Sequence, residues 1–145
     1  MSSLVIFTVN VGRLASFYEA VLDARPLVEA SGDIRFVGGS GEVFIHSIPK
    51  KIARTIEISS PPKARDGFPI KPVFDVDSLE SMLEMVRATG GVVTDFQFTL
   101  DGLTRRDVLD PDGNVIQLRG RQSVSTSHDT ITDEVVREGT DADQR

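Results

Sequence analysis

Two stretches of this chain show the same order of hydrophobic and polar positions. Residues 4–9 are β-branched and aromatic, which predicts a strand. Asn10 then precedes apolar side chains at helical spacing, and its short side chain can cap a helix. Those apolar side chains are Leu14, Phe17, Tyr18, Val21 and Leu22. Three short strands separated by turns follow, at residues 27–30, 34–37 and 43–48. Residues 1–50 are therefore predicted to fold as βαβββ.

The same order recurs from residue 70 onwards. Residues 70–76 predict a strand, and Asp77 followed by Glu80 is typical of a capping box at a helix start. The stripe of apolar side chains on this helix is Leu79, Met82, Leu83 and Val86. Gly90 and Gly91 end the helix, because glycine adopts the left-handed conformation at little cost. Further strands are predicted at residues 92–94, 103–109 and 114–118. Residues 70–121 thus form a second predicted βαβββ module.

Two segments lie outside these modules. Residues 51–69 are predicted to be a linker, with strand character at 55–58 and a stretch rich in proline, glycine and charge at 59–69. Residues 122–145 contain six acidic residues, two arginines and no Leu, Phe, Tyr or Trp. Such a segment buries too little apolar surface to offset its ordering entropy, so we expect an acidic, mostly disordered tail. Residues 1–121 then make up a single domain.

Composition and charge exclude several classes of function. The chain has 145 residues and no cysteine, which excludes disulfides, iron–sulfur clusters and cysteine-based zinc sites. Of the net charge of −6, −4 lies in the tail, so the nearly neutral body offers no basic face for nucleic acid. No apolar run approaches the roughly 18 residues of a membrane helix, and no signal peptide is recognisable at the start. We therefore expect a cytoplasmic protein without nucleic-acid or membrane partners.

Two motifs in these modules resemble one known family. The segment FYEAVL at residues 17–22 and the segment DPDGNVIQL at residues 110–118 are similar to motifs of the vicinal oxygen chelate superfamily. That superfamily includes glyoxalase I, extradiol dioxygenases, fosfomycin-inactivating enzymes and bleomycin resistance proteins. The resemblance implies an α+β fold in which two βαβββ modules form a cupped, half-barrel mixed sheet, often in a homodimer. Asp23 stands where the family usually has glycine after the first helix.

The resemblance also implies where a divalent metal would be held in catalytic members. The corresponding positions in this chain carry Ser3, Lys71 and Gln117, with a fourth near Ile45. A cationic lysine repels a dication and isoleucine offers no lone pair, so we expect no metal and no other cofactor. A register shift of one residue would bring His46 into the cup in place of Ile45, and His46 and Gln117 would then be the plausible ligands.

Three residues are the leading candidates for binding a ligand inside the cup. Alternation from Ser3 puts Val5 and Phe7 on the concave side, so Phe7 can wall a pocket. Lys71 can bind an anionic ligand or act as an acid, and the alternative is a lysine that extends from the rim. Gln117 can hydrogen-bond a ligand where the family has glutamate, and the alternative is a bond to a neighbouring strand residue.

A histidine and two arginines complete the candidates. By alternation with Ile45, His46 is expected to face the helices as a structural histidine, and a role in the pocket is the alternative. Arg35 and Arg106 are predicted to occupy matching places in the two modules. Either can clamp a carboxylate with its planar fork, and the alternative is a solvated side chain. No catalytic residue is assigned, because no Ser-His-Asp set or phosphate-binding loop is present in the sequence.

These observations favour a metal-independent protein that sequesters a small organic molecule in the cup. The alternative is a metal-dependent enzyme, similar to a glyoxalase or dioxygenase, with an unorthodox site that includes His46. A third hypothesis is a regulatory or structural module whose contacts are made by the tail. The sequence leaves open whether any reaction is catalysed and which molecule is bound.

Overall fold

The computed structural model describes residues 2–38, 41–65, 67 and 70–122. Its elements are β1 (Ser2–Thr8), α1 (Val11–Leu22), β2 (Leu27–Val28), β3 (Ile34–Gly38), β4 (Gly41–Ser47), α2 (Lys50–Ala53), β5 (Val73–Ser78), α3 (Leu79–Ala88), β6 (Val92–Leu100), β7 (Leu103–Leu109) and β8 (Val115–Arg121). The predicted tail, including His128, lies outside the described residues apart from Gln122.

The strands form two four-stranded sheets with the same topology. The strand orders are β1-β4-β3-β2 in the first sheet and β5-β8-β7-β6 in the second. In each sheet the strand before the main helix runs parallel to the last strand of the module, and the other pairs are antiparallel. The predicted α+β fold of two βαβββ modules is confirmed.

The helix starts agree with the sequence analysis in one module and differ in the other. Asn10 caps α1, because its side-chain oxygen accepts a hydrogen bond of 3.0 Å from the Arg13 N–H. In the second module the capping residue is Ser78, which accepts from the Ser81 N–H, and α3 begins at Leu79. The predicted start at Asp77 is therefore wrong, because β5 continues through Ser78 before the helix begins.

The predicted strand at residues 55–58 is also wrong. The chain instead forms the short helix α2, and the backbone after it closes local turns. The N–H and hydroxyl of Thr55 both donate to the Ile52 carbonyl, at 3.0 and 2.8 Å, and the Ile56 N–H donates to the Ala53 carbonyl. These groups are used within the segment and do not pair with a neighbouring strand.

One hydrophobic core joins the two modules. Helix α1 contributes the most buried side chains to it, including Leu14, Phe17 and Tyr18, and α1 packs against α3. Phe74 faces the helices as predicted, and its ring meets Tyr18 edge-on at 6.0 Å between centroids. The side chain that Phe74 contacts thus belongs to the first helix, so the core is shared across the modules.

The turn before β8 fastens the second module to the first. Asp110 is fully buried and accepts two backbone N–H bonds within the turn, from Asp112 and Asn114, as the sequence predicts for an aspartate in a turn. It also accepts the hydroxyl of Tyr18 at 2.9 Å and the side-chain amide of Asn114 at 2.8 Å. Burial raises the pKa of Asp110, and these hydrogen bonds oppose that rise. Burial, followed by the nearby charge of Asp110, raises the pKa of Tyr18 well above its ordinary value.

Three further hydrogen bonds hold the same turn in place. Asp112 accepts the Thr8 hydroxyl at 2.6 Å and the Arg13 guanidinium at 2.9 Å, so it binds the end of β1 and the start of α1. Gly113 has a φ of +84° and its carbonyl accepts the Arg65 N–H at 2.8 Å. A Cβ at Gly113 would lie 2.1 Å from the Lys63 carbonyl oxygen, so only glycine allows the linker to approach this closely.

Candidate functional site

Alternation along the strands gives each sheet one side packed on the helices and one side turned away from them, called here the open face. In β1, Leu4 and Ile6 pack on the core, whereas Val5 and Phe7 lie on the open face. Phe7 is 59% exposed. Val5 and Phe7 therefore share the face turned away from the helices, because side chains alternate along a strand with a period of two.

The open face of the first sheet brings His46 next to two aromatic rings. His46 lies directly opposite Phe7 in the β1–β4 pairing, with 5.4 Å between ring centroids. Its ring also stacks on that of Phe44, at 5.8 Å and 21°. Ile45 is 0% exposed in the core, so the expectation that His46 faces the helices is wrong. The register of β4 differs by one residue from the expected one, and such a shift exchanges the two faces.

A buried carboxylate is hydrogen-bonded to the His46 ring. The Nδ1 atom of His46 lies 2.7 Å from an oxygen of Asp33, which is 2% exposed. Asp33 also accepts the Ser47 N–H at 2.9 Å and the Ser31 hydroxyl at 2.8 Å. These hydrogen bonds, that of the Ser47 N–H first, lower the pKa of Asp33 to about 2. Asp33 is not among the predicted site residues, because it stands in a Gly-Asp turn and belongs to no motif.

The two candidate arginines lie on opposite faces. Arg35 lies on the open face opposite Phe44, with its guanidinium 6.0 Å from the ring centroid, and forms ion pairs with Glu29 and Glu42. Arg106 lies opposite the buried Leu118 on the helix-facing side. The prediction that the arginines occupy matching places is therefore wrong.

Arg105 is the arginine on the open face of the second sheet. It lies opposite Arg119, one residue along the strand from the candidate Arg106. Its guanidinium is 5.5 Å from the Phe98 ring centroid, as that of Arg35 is near Phe44. The predicted register of β7 is therefore wrong by one residue, as it was for β4 at His46. Such a shift selects the wrong arginine because adjacent strand residues point to opposite faces.

On the second sheet, Lys71 and Gln117 meet at Asp107. The Lys71 ammonium forms an ion pair with one oxygen of Asp107, and the Gln117 amide donates to the other at 3.0 Å. The same ammonium lies 5.2 Å from the ring centroid of Phe96. Asp107 and Gln117 are both buried, whereas the Lys71 side chain is about two-fifths exposed. Asp107 is not among the predicted site residues, although it lies directly opposite Gln117 in the β7–β8 pairing.

A cavity of about 660 Å³ lies where the two sheets come side by side. Val5 and Phe7 of β1 line one wall, and Lys71, Pro72 and Asp107 line the other. The structure thus brings the candidates Phe7 and Lys71 together, with Gln117 behind Asp107. His46 lies on the far side of Phe7, and Arg35 is one strand further away. The cavity is within the size range of small-molecule sites.

The positions that the family resemblance implies for a metal do not fit one. Ile45 is buried in the core, and the register shift puts His46 on the open face instead, where it is bound to Asp33 and lies outside the lining of the cavity. Gln117 is bound to Asp107, and Ser3 lies opposite Glu42. Lys71 already provides the positive charge beside Asp107. Over the described ranges, no group of three or more His, Asp or Glu side chains is placed to hold a metal ion. Divalent metals need convergent imidazole and carboxylate ligands, which this donor set lacks.

Comparison with solved structures shows that the fold is similar to that of glyoxalase/bleomycin resistance and fosfomycin resistance proteins. A glyoxalase/bleomycin resistance protein/dioxygenase family enzyme from Burkholderia phytofirmans PsJN is 18% identical, with a TM-score of 0.62 over 82% of this chain and 96% of that one. The fosfomycin resistance protein FosX from Mesorhizobium loti is 20% identical, with a TM-score of 0.57 over 83% and 90% of the two chains. A glyoxalase/bleomycin resistance protein from Albidiferax ferrireducens T118 is 20% identical, with a TM-score of 0.56 over 83% and 98%.

At these identities the likeness establishes the fold, which the sequence motifs had indicated. No protein-family model matches the chain, and no curated protein matches it. Within the part of the chain that the structure describes, no helix has the length and apolar character needed to cross a membrane. Substrate, ligand and assembly therefore have to be argued from the site itself.

Proposed function

We propose that this protein binds a small organic molecule in the cavity between its two sheets and sequesters it without a metal or other cofactor. The observation that carries the proposal is the cavity of about 660 Å³ between Phe7 and the Lys71–Asp107 pair. An apolar wall with a few convergent polar groups is typical of ligand sites. The proposal assigns no catalytic step to these residues.

The polar side of the cavity both donates and accepts hydrogen bonds. The Lys71 ammonium has three N–H donors, of which the ion pair with Asp107 uses one. The carboxylate of Asp107 compensates the charge of Lys71, and the Gln117 amide occupies the second Asp107 oxygen. A ligand with hydroxyl or carbonyl groups on a flat apolar body fits this arrangement better than a strong anion does.

The residues at the positions implied for metal ligands support a mode of binding that uses no metal. Lys71 and Gln117 stand where the resemblance places metal ligands, and both are hydrogen-bonded to Asp107. A dication beside Lys71 would be repelled by the ammonium at short range. Ligand binding would then be independent of added metal or chelator.

A second copy of the chain is the proposed partner. Large apolar side chains are exposed on the open faces of both sheets, including Val5, Phe7, Val73, Phe96 and Phe98. Exposed apolar side chains of this size are common at protein–protein contacts, and a homodimer would cover them. Analytical ultracentrifugation tests this, with Phe98→Glu expected to shift the protein to monomer. A wild-type monomer at high protein concentration would contradict the homodimer.

A cytoplasmic location also stays a prediction.

The binding proposal is tested by calorimetric titration of planar hydroxyl- and carbonyl-bearing compounds, selected first by thermal shift. Lys71→Met should weaken binding at least about tenfold, since it removes the exposed donors and leaves Asp107 without its counter-ion. Lys51→Met, on the exposed face of α2, is the matched control and should bind as the wild type does. Equal affinity of Lys71→Met and wild type, or loss of binding on adding a chelator, would contradict the proposal.

A further inference from the structure

We propose that Arg65 binds a carboxylate at one end of the cavity, so that the molecule held there is a flat organic acid with a hydroxyl or carbonyl group at its other end. This inference deepens the proposed function and rests on it for the cavity. It adds a binding residue from the linker between the two modules, because Arg65 lines the cavity together with residues of β1 and β8.

The fold fixes the base of the Arg65 side chain. Its N–H donates to the Gly113 carbonyl at 2.8 Å, and its Cγ lies 3.6 Å from where a Cβ on Gly113 would stand. The turn that contains Gly113 is in turn bound to the first module through Asp110 and Asp112. Arg65 therefore lies at the rim of the cavity as part of the packed structure, next to the start of β8.

The charged side chains that line the cavity leave a positive charge uncompensated. Among the described residues they are Arg65, Lys71 and Asp107, two cations and one carboxylate, with a net charge of +1. Lys71 is paired with Asp107, whereas no described carboxylate lies within ion-pair distance of Arg65. Asp112, in the adjoining turn, is paired with Arg13. An anionic ligand supplies the missing charge, and the planar guanidinium matches a carboxylate through two parallel N–H bonds.

The neutral polar groups at the same end of the cavity already have partners. The Tyr18 hydroxyl donates to Asp110 at 2.9 Å, and the Asn114 side-chain amide donates to the same oxygen at 2.8 Å. Both side chains line the cavity beside Arg65. The Arg65 guanidinium is therefore the charged donor that this end of the cavity offers to a ligand.

Strand β8 sets the distance between the two polar ends. Arg65 is bound to Gly113, directly before Asn114, whereas Asp107 lies opposite Gln117. Three residues of strand separate Asn114 from Gln117, which is about 10 Å at a rise of roughly 3.3 Å per residue. The remaining lining is mainly apolar and includes Val5, Phe7, Ile70, Val115 and Ile116. A rigid body of two fused rings, with a carboxylate at one end and a hydroxyl at the other, matches this spacing.

Two fluorescent probes that differ only in the carboxylate test the inference. Wild type should bind 6-hydroxy-2-naphthoate at least about tenfold more tightly than 2-naphthol in fluorescence titrations. Arg65→Met should lose this preference and bind 2-naphthol as wild type does, and Arg65→Lys should keep part of it, since lysine retains the charge without the fork. Lys63→Met is the matched control, because Lys63 is an exposed cation of the same linker outside the cavity lining, and its preference should be unchanged.

Several results would overturn the inference. They are equal binding of the two probes by wild type, no binding of the acid to wild type, and an unchanged preference in Arg65→Met. Equal weakening of both probes in Arg65→Met would do the same, since the side chain would then support the cavity without selecting the carboxylate. The proposed function fails separately, if Lys71→Met binds 2-naphthol as tightly as wild type does, so the two failures are distinguishable.

Discussion

The two modules share a strand order and differ in what their open faces carry. The first presents the rings of Phe7, Phe44 and His46, whereas the second presents the Lys71–Asp107 pair. On the helix-facing side both modules contribute apolar side chains to one core, Ile45 of β4 and Ile116 of β8 among them. The shared core restricts which residues can occupy the side packed on the helices, whereas the residues of the open face are free to differ between the modules. Function is therefore to be sought where the modules differ.

A second difference lies in the turns that precede the last strands. The turn Asp110–Asn114 of the second module accepts hydrogen bonds from Tyr18, Thr8 and Arg13 of the first module. The first module thus depends on a carboxylate turn supplied by the second. This asymmetry can be tested by substitutions that remove one contact at a time, beginning with the largest expected effect.

Gly113→Ala should cause the largest loss of stability. The substitution combines a positive φ of +84° with a Cβ placed 2.1 Å from the Lys63 carbonyl oxygen, so we expect a loss of about 3 kcal/mol. Gly102→Ala is the matched control, since φ is +72° there and no atom lies within 4 Å of the added Cβ. Its expected loss is about 1 kcal/mol. Equal losses in urea unfolding would show that the linker does not restrict the turn.

Tyr18→Phe should cost about 2 kcal/mol, because it leaves the buried Asp110 short of one donor. The Tyr18 hydroxyl lowers the pKa of Asp110, so its removal raises that pKa further. The loss should consequently be largest where Asp110 is ionised and should shrink as the pH falls through its raised pKa. Ser16→Ala, on the exposed side of the same helix, is the control and should stay within about 0.5 kcal/mol at each pH. A pH-independent loss in Tyr18→Phe would argue against this coupling.

Asp33 should make the first module sensitive to acid. Its folded-state pKa of about 2 lies below its ordinary value of 3.8, so the stability it contributes is present above pH 3.8 and is lost as the pH falls towards 2. Asp33→Asn should lose less stability over this interval than wild type. Thermal unfolding at a series of pH values measures the difference, with the exposed turn variant Asp101→Asn as control. Parallel curves for wild type and Asp33→Asn would contradict the assignment.

Asp23→Gly should give the smallest effect, a gain of up to about 1 kcal/mol. Asp23 ends α1 with a φ of +46°, which strains any residue with a Cβ and explains the glycine that the resemblance places there. Asp101→Gly, at a φ of +53°, should change stability in the same direction. Asp77→Gly, within the strand β5, should instead lose stability. A lower melting temperature for Asp23→Gly would show that its side chain makes a compensating contact.

Much of the fold was predictable because it depends on local pattern. The helix cap at Asn10, the stripe around Phe17 and the turn at Asp110 were all recognisable from neighbouring residues. The strand predicted at residues 55–58 does not form, because a short apolar segment of suitable composition still requires a partner strand. The candidate site was predictable in part. Phe7 and Lys71 were expected near a pocket, and the cavity between the sheets brings them together.

The sequence by itself determined the order of the main elements, the two-module fold and a set of candidate site residues. Only the tertiary structure decided which of those residues share a face. His46 points to the open face and Arg106 away from it because strand register sets the side, and a one-residue shift exchanges every side chain. Lys71 is paired with Asp107, and His46 with Asp33, through contacts between residues 36 and 13 positions apart. Such pairings depend on how separate strands align, which local periodicity does not encode.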